Sequence, residues 1–506
     1  MPIFRASIAA VVLAISSATI AQNSDPIVAT DLGKVRGRAL EQGAAYLGIP
    51  YAAPPVGTRR WQETQAAQPW EGIHDGREFG PDCIQPPRRG KAPARQSEDC
   101  LTLNIVVPEH EGQDLPVLFS IHGGAYFVGS GRYIAEHMLS PVVKRGVILV
   151  SPNYRLGRLG FFSHPALTAE AGHGTGNFWL SDQIAALQWV KRNIRAFGGD
   201  PDKITLLGCS AGGSSVNALM TSPASQGLFA GAAAHSAGGL FNAARPLARA
   251  EQEGLAFAQR AGIDGEGEEA LSLLRQLSPT AILNADPGPP DYGAIVDRHL
   301  LRTSLAEAFA SGQQSAVPYL SGSTSDEASI FGLMGFDEQV LKQKFGITLK
   351  DVAEIYPKAS SPQDLLRQVQ TDFMFTSAAV GMPAFASQRA PAWAYHFDYV
   401  PQDKRKTQAG AAHCADMNYL FGLTPATSDG DRKTAERLRD YWAAFIKHGN
   451  PNTGSERPLW PQAAEHQSRV LLIDQDGAHP QAKFSPKAMN FWWQKWASDS
   501  DSDRLP

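Results

Sequence analysis

The 506-residue chain has little of what marks several common protein classes. Only 4 cysteines are present, and neither a CxxC nor an HExxH spacing occurs, so the familiar metal-site patterns are missing and no metal or organic cofactor is called for. No GxxxxGK[ST] loop is there to cradle a nucleotide phosphate. With a net charge of −4, the chain has no cationic excess to neutralise a nucleic-acid backbone. No repeat period and no linker divides it, and the only low-complexity stretch is the acidic tail 498–503, expected to fray. Beyond the N terminus no apolar run is long enough to cross a bilayer, so stable membrane insertion is not expected. The 43% hydrophobic content is enough for one large core.

The first residues read as an export signal. Arg5 supplies a basic side chain, residues 6–18 are largely apolar, and Thr19-Ile-Ala21 offers small residues for cleavage near Ala21. This leaves 22–506 as a single catalytic domain, periplasmic or secreted, and the even cysteine count suits an oxidising compartment.

The strongest chemical signal is Ile204-Thr-Leu-Leu-Gly-Cys-Ser-Ala-Gly-Gly213, a short aliphatic strand that ends in GCSAGG and is followed by small, helix-compatible residues. A GxSxG placed between strand and helix is a nucleophile elbow: Gly208 and Gly212 leave room for a sharp turn that holds Ser210 strained, with its hydroxyl exposed. Two further segments give that serine partners. Leu115-Pro-Val-Leu-Phe-Ser-Ile-His-Gly-Gly-Ala-Tyr126 reads as a buried strand running into a Gly-Gly turn whose backbone N–H groups can face an oxyanion. The N–H of Ala211, at a helix start, adds another donor. His413, in Gly410-Ala-Ala-His-Cys-Ala-Asp-Met-Asn-Tyr-Leu-Phe-Gly422, lies late in the chain, after the serine and an acidic candidate, which is the order of strand-turn-helix hydrolases.

Further ordered motifs carry a family resemblance. They are Gly48-Ile-Pro-Tyr-Ala-Ala-Pro-Pro-Val-Gly57, Ser97-Glu-Asp-Cys-Leu-Thr-Leu-Asn104, HGGAYFVGSG, Asn153-Tyr-Arg155, Asp182-Gln183, Phe197-Gly-Gly-Asp-Pro201, GCSAGG and Thr324-Ser-Asp-Glu327. With these the chain resembles the type-B carboxylesterase/lipase family, which includes cholinesterases and bacterial para-nitrobenzyl esterases. The resemblance covers nearly the whole mature chain and implies an α/β-hydrolase fold and a serine carboxylic-ester hydrolase acting on a small-molecule ester.

The family pattern carries the triad acid onto Glu327, with the adjacent Asp326 as the rival that sequence alone does not separate. It carries the oxyanion donors onto the N–H groups of Gly124, Ala125 and Ala211. Many relatives have a third glycine where Ala125 stands, so its methyl is expected to narrow the site. Ser236 and Asp416 match positions that in relatives support the triad histidine. Cys83 and Cys100 fall in segments resembling the family's N-terminal disulfide loop.

The most telling departure is Cys209, where relatives usually carry glutamate, together with Cys414, where they usually carry a small residue. Because Ser210 and His413 must meet, their cysteine neighbours are close enough for the Cα separation of about 4.4–6.8 Å that a disulfide needs. A Cys209–Cys414 bridge is therefore expected, similar to the pair beside the triad in tannase-like and feruloyl esterases. Two buried thiols are the alternative.

Buried strands are expected at 101–107, 116–121, 147–151, 204–207, 319–321, 392–397 and 470–473, alternating with helices in one large, mostly parallel sheet. Ser181 is a candidate cap for a helix running through Ile194, with Ile184, Leu187, Val190 and Ile194 on one face. Helices are also expected at 246–261 and 435–447. For the substrate, Arg88, Arg89, Lys91 and Arg95 on the first disulfide loop offer either an attraction for anionic, polycarboxylate esters of the fumonisin type or ordinary solvated charge. Tyr126, Phe127, Phe178 and Trp179 are candidates for pocket walls or for core. A non-catalytic, cholinesterase-like binding protein is the alternative of another class. The oligomeric state is not legible.

Overall fold

The computed structural model describes residues 25–87, 95–109, 112–241, 244–286, 292–454 and 456–500, with the side chains of 333 and 334 left aside. The expected signal at 1–21, and Arg88, Arg89 and Lys91, lie outside the described residues.

Eleven strands form the main sheet, numbered here in chain order. They are β1 (Arg38–Leu40), β2 (Gly43–Pro50), β3 (Thr102–Pro108), β4 (Leu115–Ile121), β5 (Ile148–Pro152), β6 (Gly199–Cys209), β7 (Gly231–His235), β8 (Tyr319–Thr324), β9 (Ala392–Phe397), β10 (Val470–Ile473) and β11 (Ala478–Gln481). Their spatial order is β11-β10-β9-β8-β7-β6-β4-β5-β3-β2-β1. The run from β5 to β10 is parallel, and antiparallel strands close both edges. This is the α/β-hydrolase fold: central parallel strands, covered on both faces, read as unbroken apolar runs such as Val147-Ile-Leu-Val150, in which every side chain is buried.

Two helices carry the argument that follows. The first, α1 (Phe178–Asn193), starts three residues before the expected Ser181 cap and takes Asn177 at its N-cap. Ser181 is instead inside the helix, where its Oγ accepts the N–H of Thr64 at 2.8 Å, so a loop from the N-terminal region claims the hydroxyl. Ile184, Leu187 and Val190 are buried as expected, but Trp179, Leu180 and Ala186 are buried too, because α1 is covered almost all round. The second, α2 (Ala211–Thr221), follows β6 directly.

Family motifs that carry no chemistry tie these layers together. Asp182 on α1 accepts the N–H of Arg155 at 2.9 Å and pairs with its guanidinium at 2.8 Å, both side chains being buried. Arg60 and Glu98 pair at 2.5 Å beside the Cys83–Cys100 bridge. The helix expected at 246–261 spans Leu247–Arg260. The one expected at 435–447 starts earlier, at Asp429, because Ser428 and Asp431 form a capping box. Ser498 and Asp499 of the acidic tail belong to the helix Pro486–Asp499, and residues 501–503 lie outside the described residues. No helix among the described residues is long and apolar enough to cross a membrane.

Candidate active site

Ser210 occupies the turn between β6 and α2 with φ 59° and ψ −129°. A non-glycine residue held there costs on the order of 1–3 kcal/mol, so its surroundings must impose it. They do so through two backbone bonds, Ser210 N–H to the His235 carbonyl at 2.9 Å and Ser214 N–H to the Ser210 carbonyl at 2.9 Å. The two flanking glycines are steric necessities. A Cβ on Gly208 would collide with the backbone of Gly212, and one on Gly212 with the carbonyls of Ile121 and His122 at the end of β4. Helix α2 thus sits directly on the strand ends, its positive N-terminus beside Ser210.

The loop after β4 closes over this elbow. Gly123 faces the Cys209 carbonyl and the Ser210 Cβ, and Gly124 (φ 111°) starts a turn closed by Phe127 and Val128 N–H groups on its carbonyl, at 2.9 and 3.0 Å. Ala125 has φ 53° and is exposed. The two segments expected to supply N–H donors, 124–125 and 211, therefore flank the serine on neighbouring strand ends, β4 and β6.

His413 and Glu327 come from two loops that are zipped together. Asp326 N–H donates to the Ala411 carbonyl and Ala411 N–H to Ser325 Oγ, both at 2.9 Å. Ser329 Oγ accepts the His413 N–H at 3.0 Å while donating to the Asp326 carbonyl at 2.7 Å. Fixed in this way, His413 Nδ1 hydrogen-bonds Glu327 Oε2, and Glu327 Oε1 accepts the Thr324 N–H at 2.7 Å. Glu327 is 0% exposed, so its charge rests on these two partners. A carboxylate on Nδ1 requires the proton there and leaves the lone pair on Nε2. That Nε2 is buried and makes no hydrogen bond, so the serine–histidine contact is not closed in this structure. Asp326 turns away to Arg367, 3.5 Å from its Nη1, and burial raises its carboxyl against the opposing arginine charge. Geometry thus separates the two adjacent carboxylates.

The cysteines adjoining the pair are bonded: Cys209–Cys414 has a Cα–Cα distance of 6.2 Å, and Cys83–Cys100 one of 5.1 Å. The first bridge ties the residue before Ser210 to the residue after His413. Phe375 packs on the His413 ring at 5.0 Å between centroids. It sits on a π-helical turn, Asp372–Thr376, of the kind that re-aims side chains at functional sites. Sequence reasoning missed this residue, since one extra residue in a helical turn has no compositional mark.

Asp416 and Ser236 make their hydrogen bonds elsewhere than to the His413 side chain. Asp416 accepts from His235 Nδ1 at 2.6 Å and from the Tyr395 hydroxyl at 2.5 Å, and Trp442 Nε1–H donates to His235 Nε2 at 2.9 Å. Burial pushes the Asp416 carboxyl up, but the His235 ring and these hydrogen bonds outweigh it and hold it below the ordinary value. Because the His235 carbonyl accepts the Ser210 N–H, this buried network braces Ser210 rather than His413. Ser236 N–H bonds the Gly322 carbonyl, and its hydroxyl makes no hydrogen bond among the described residues.

Of the aromatic candidates, Tyr126, Phe178 and Trp179 are core. Trp179 is stacked on Phe161 at 5.2 Å and packed on Tyr126 at 4.8 Å. Phe127 is half-buried and lines a cleft with Gly157, Arg158 and Tyr292. Arg95, the described member of the basic loop, is exposed.

Comparison with known proteins places the chain among esterases in sequence and in fold. The profile of the Carboxylesterase family matches residues 24–492. A fumonisin B1 esterase of Sphingopyxis macrogoltabida is 35% identical over 87% of this chain and 86% of its own. A para-nitrobenzyl esterase of Bacillus subtilis (strain 168) is 33% identical over 89% and 95%. A solved para-nitrobenzyl esterase structure superposes with a TM-score of 0.80 at 31% identity, covering 94% of this chain and 100% of that one.

Proposed function

The chain belongs to the carboxylesterase family and is a carboxylic-ester hydrolase, and from that premise we propose that it works through an acyl-enzyme formed on Ser210, with His413 as general base and acid and Glu327 as its orienting carboxylate. His413 Nε2 takes the Ser210 proton as Oγ attacks the ester carbonyl. Glu327 stabilises the imidazolium, and the N–H groups of Gly124, Ala125 and Ala211 bind the oxyanion. The imidazolium then protonates the leaving alcohol, and a water activated by the same nitrogen releases the acid. The observation that carries this reading is the buried Glu327 carboxylate on His413 Nδ1, because it leaves a basic nitrogen on the side tied by the Cys209–Cys414 bridge to the strained serine. A non-catalytic binding protein would have no use for that strain.

Hydrolysis of p-nitrophenyl acetate with a pre-steady-state burst of one equivalent of p-nitrophenol, abolished by Ser210→Ala, tests the mechanism. Linear release without a burst even when deacylation is slowed, or full activity in Ser210→Ala, would refute it.

The paired disulfides and the apolar N-terminal run together support export to the periplasm or medium. A narrower substrate reading, a polycarboxylate ester, is favoured by the 35% identity to a fumonisin B1 esterase. The cysteine pair supports the competing feruloyl- or tannin-type reading. Comparing kcat/KM on aliphatic, hydroxycinnamate and polycarboxylate esters decides between them, and preference for neutral aliphatic esters at low salt removes both.

A further inference from the structure

Away from this site, three polar side chains distant in sequence converge. Glu63, His173 and His299 each present a donor atom within 4.8 Å of the others. His299 Nε2 lies 3.2 Å and His173 Nε2 3.9 Å from Glu63 Oε1, and the two imidazoles stack at 3.9 Å between centroids. His173 Nδ1 lies 3.0 Å from the Gly174 carbonyl. A carbonyl only accepts, so in the neutral ring the proton sits on Nδ1 and Nε2 turns a lone pair toward a carboxylate. Two electron-rich groups face each other, an arrangement that a cation between them relieves. A backbone carbonyl on the far nitrogen is also how metal-binding histidines are oriented.

The three loops are held from beneath. Asp297, buried, accepts the N–H groups of His299 and Leu301 at 2.9 Å and the Asn177 amide at 2.6 Å. Gly174 is pressed against the Asp297 carbonyl so closely that a Cβ would not fit. Glu63 is flanked by Trp61, whose Nε1–H bonds the Arg158 carbonyl at 2.9 Å, and by Thr64, bound to Ser181 and Asp182. Rigid backbone carrying partly exposed ligands is a preorganised donor set.

We propose that Glu63, His173 and His299 bind a transition-metal dication of the zinc class, with water completing the coordination. Two imidazoles and one carboxylate select Zn2+, Co2+, Ni2+ or Cu2+ over the oxygen-seeking Ca2+ and Mg2+. Tetrahedral bonds of about 2.0–2.1 Å put donors roughly 3.3 Å apart, so donors now within 4.8 Å of one another close in by up to about 1.5 Å. Bound there, the ion would clip the loops around 63, 173 and 299 and stabilise the fold without entering the ester chemistry.

The test is titration of chelator-treated, tag-free protein with Zn2+ alone by calorimetry, with Co2+ as a spectroscopic probe. One equivalent is expected to bind the unaltered chain, weakened at least about tenfold in His173→Ala, His299→Ala and Glu63→Gln. The Co2+ complex should show visible absorption that each variant loses. Zn2+ should raise Tm in the parent protein and not in the variants. Hydrolysis of p-nitrophenyl acetate, unchanged in all three, reports that they are folded. Binding that is equal in parent and variants, or no equivalent tighter than about 100 μM, overturns the site.

Discussion

Removing the Cys209–Cys414 bridge by a double alanine substitution should act on stability and on turnover at once. The bridge closes a segment of 205 residues, whereas Cys83–Cys100 closes one of 17. In the chain-entropy account the cost of loop closure rises as the logarithm of loop length, giving roughly 5 kcal/mol for the long loop and roughly 3 kcal/mol for the short one. Alanine is the right replacement because Cys209 is only 7% exposed and serine would bury a hydroxyl. The catalytic effect has a different origin. His413 is held to the Glu327 loop by Ser329 and the backbone zipper, but its link to the Ser210 side passes through Cys414. A drift of about 1 Å between base and nucleophile costs up to about 100-fold in rate, so kcat should fall by roughly 10- to 100-fold with KM nearly unchanged. The assay is urea unfolding followed by tryptophan fluorescence, together with p-nitrophenyl acetate kinetics, both without reductant. The Cys83/Cys100 double alanine variant is the control: a smaller loss of midpoint and an unaltered kcat. If the Cys209/Cys414 variant keeps both the parental midpoint and the parental kcat, the bridge neither constrains the unfolded chain nor aligns the pair.

Glu327→Gln should lower kcat/KM by roughly 10³- to 10⁴-fold, because the amide no longer enforces the Nδ1 proton, while Asp326→Asn should stay within a few-fold; the reverse order would reassign the acid. Ser329→Ala removes the acceptor of the His413 N–H and should reduce kcat by about 10-fold with little change in KM, measured beside a urea midpoint to separate misalignment from unfolding. His396 is buried and its pKa is pushed down to about 4 by desolvation. Protons therefore favour the unfolded chain: this contribution is complete above about pH 6.5 and is lost as pH falls through about 4, up to roughly 3 kcal/mol, so His396→Asn should flatten the fall in urea midpoint between pH 7 and pH 4. Asp372 is the opposite case, with its pKa raised to about 6 by burial. Its ionisation penalises the fold as pH rises from about 4 through 6, and Asp372→Asn should be the more stable protein at pH 7 and no more stable at pH 4.

The turn that carries the proposed nucleophile was legible because its geometry is local. A strand, a glycine-spaced serine and a helix must be contiguous to build an elbow, so Gly208, Ser210 and Gly212 announce it. The central strands were legible for a similar reason, since burial on both faces leaves continuous apolar runs. Strand β7 was not: Gly231-Ala-Ala-Ala-His235 has no β-branched residue, and its extension is imposed by pairing with β6 and β8. Strands β1, β2 and β11 escaped notice at the sheet edges.

Other features were set by side chains meeting across the fold. Nothing within Ser325-Asp-Glu-Ala-Ser329 tells which carboxylate faces His413. The zipper to residues 411–413 decides, turning Glu327 inward and Asp326 toward Arg367. The same holds for Asp416, which resemblance assigned to the histidine and which the packing of Tyr395 and Trp442 delivers to His235 behind the serine. Sequence by itself determined the fold class, the strained serine turn and the elements that flank it, because those follow from periodicity and short-range sterics. Only the tertiary structure decided which carboxylate meets His413, the bracing network and the meeting of Glu63, His173 and His299, because hydrogen-bond partners brought together from distant loops leave no mark on local composition.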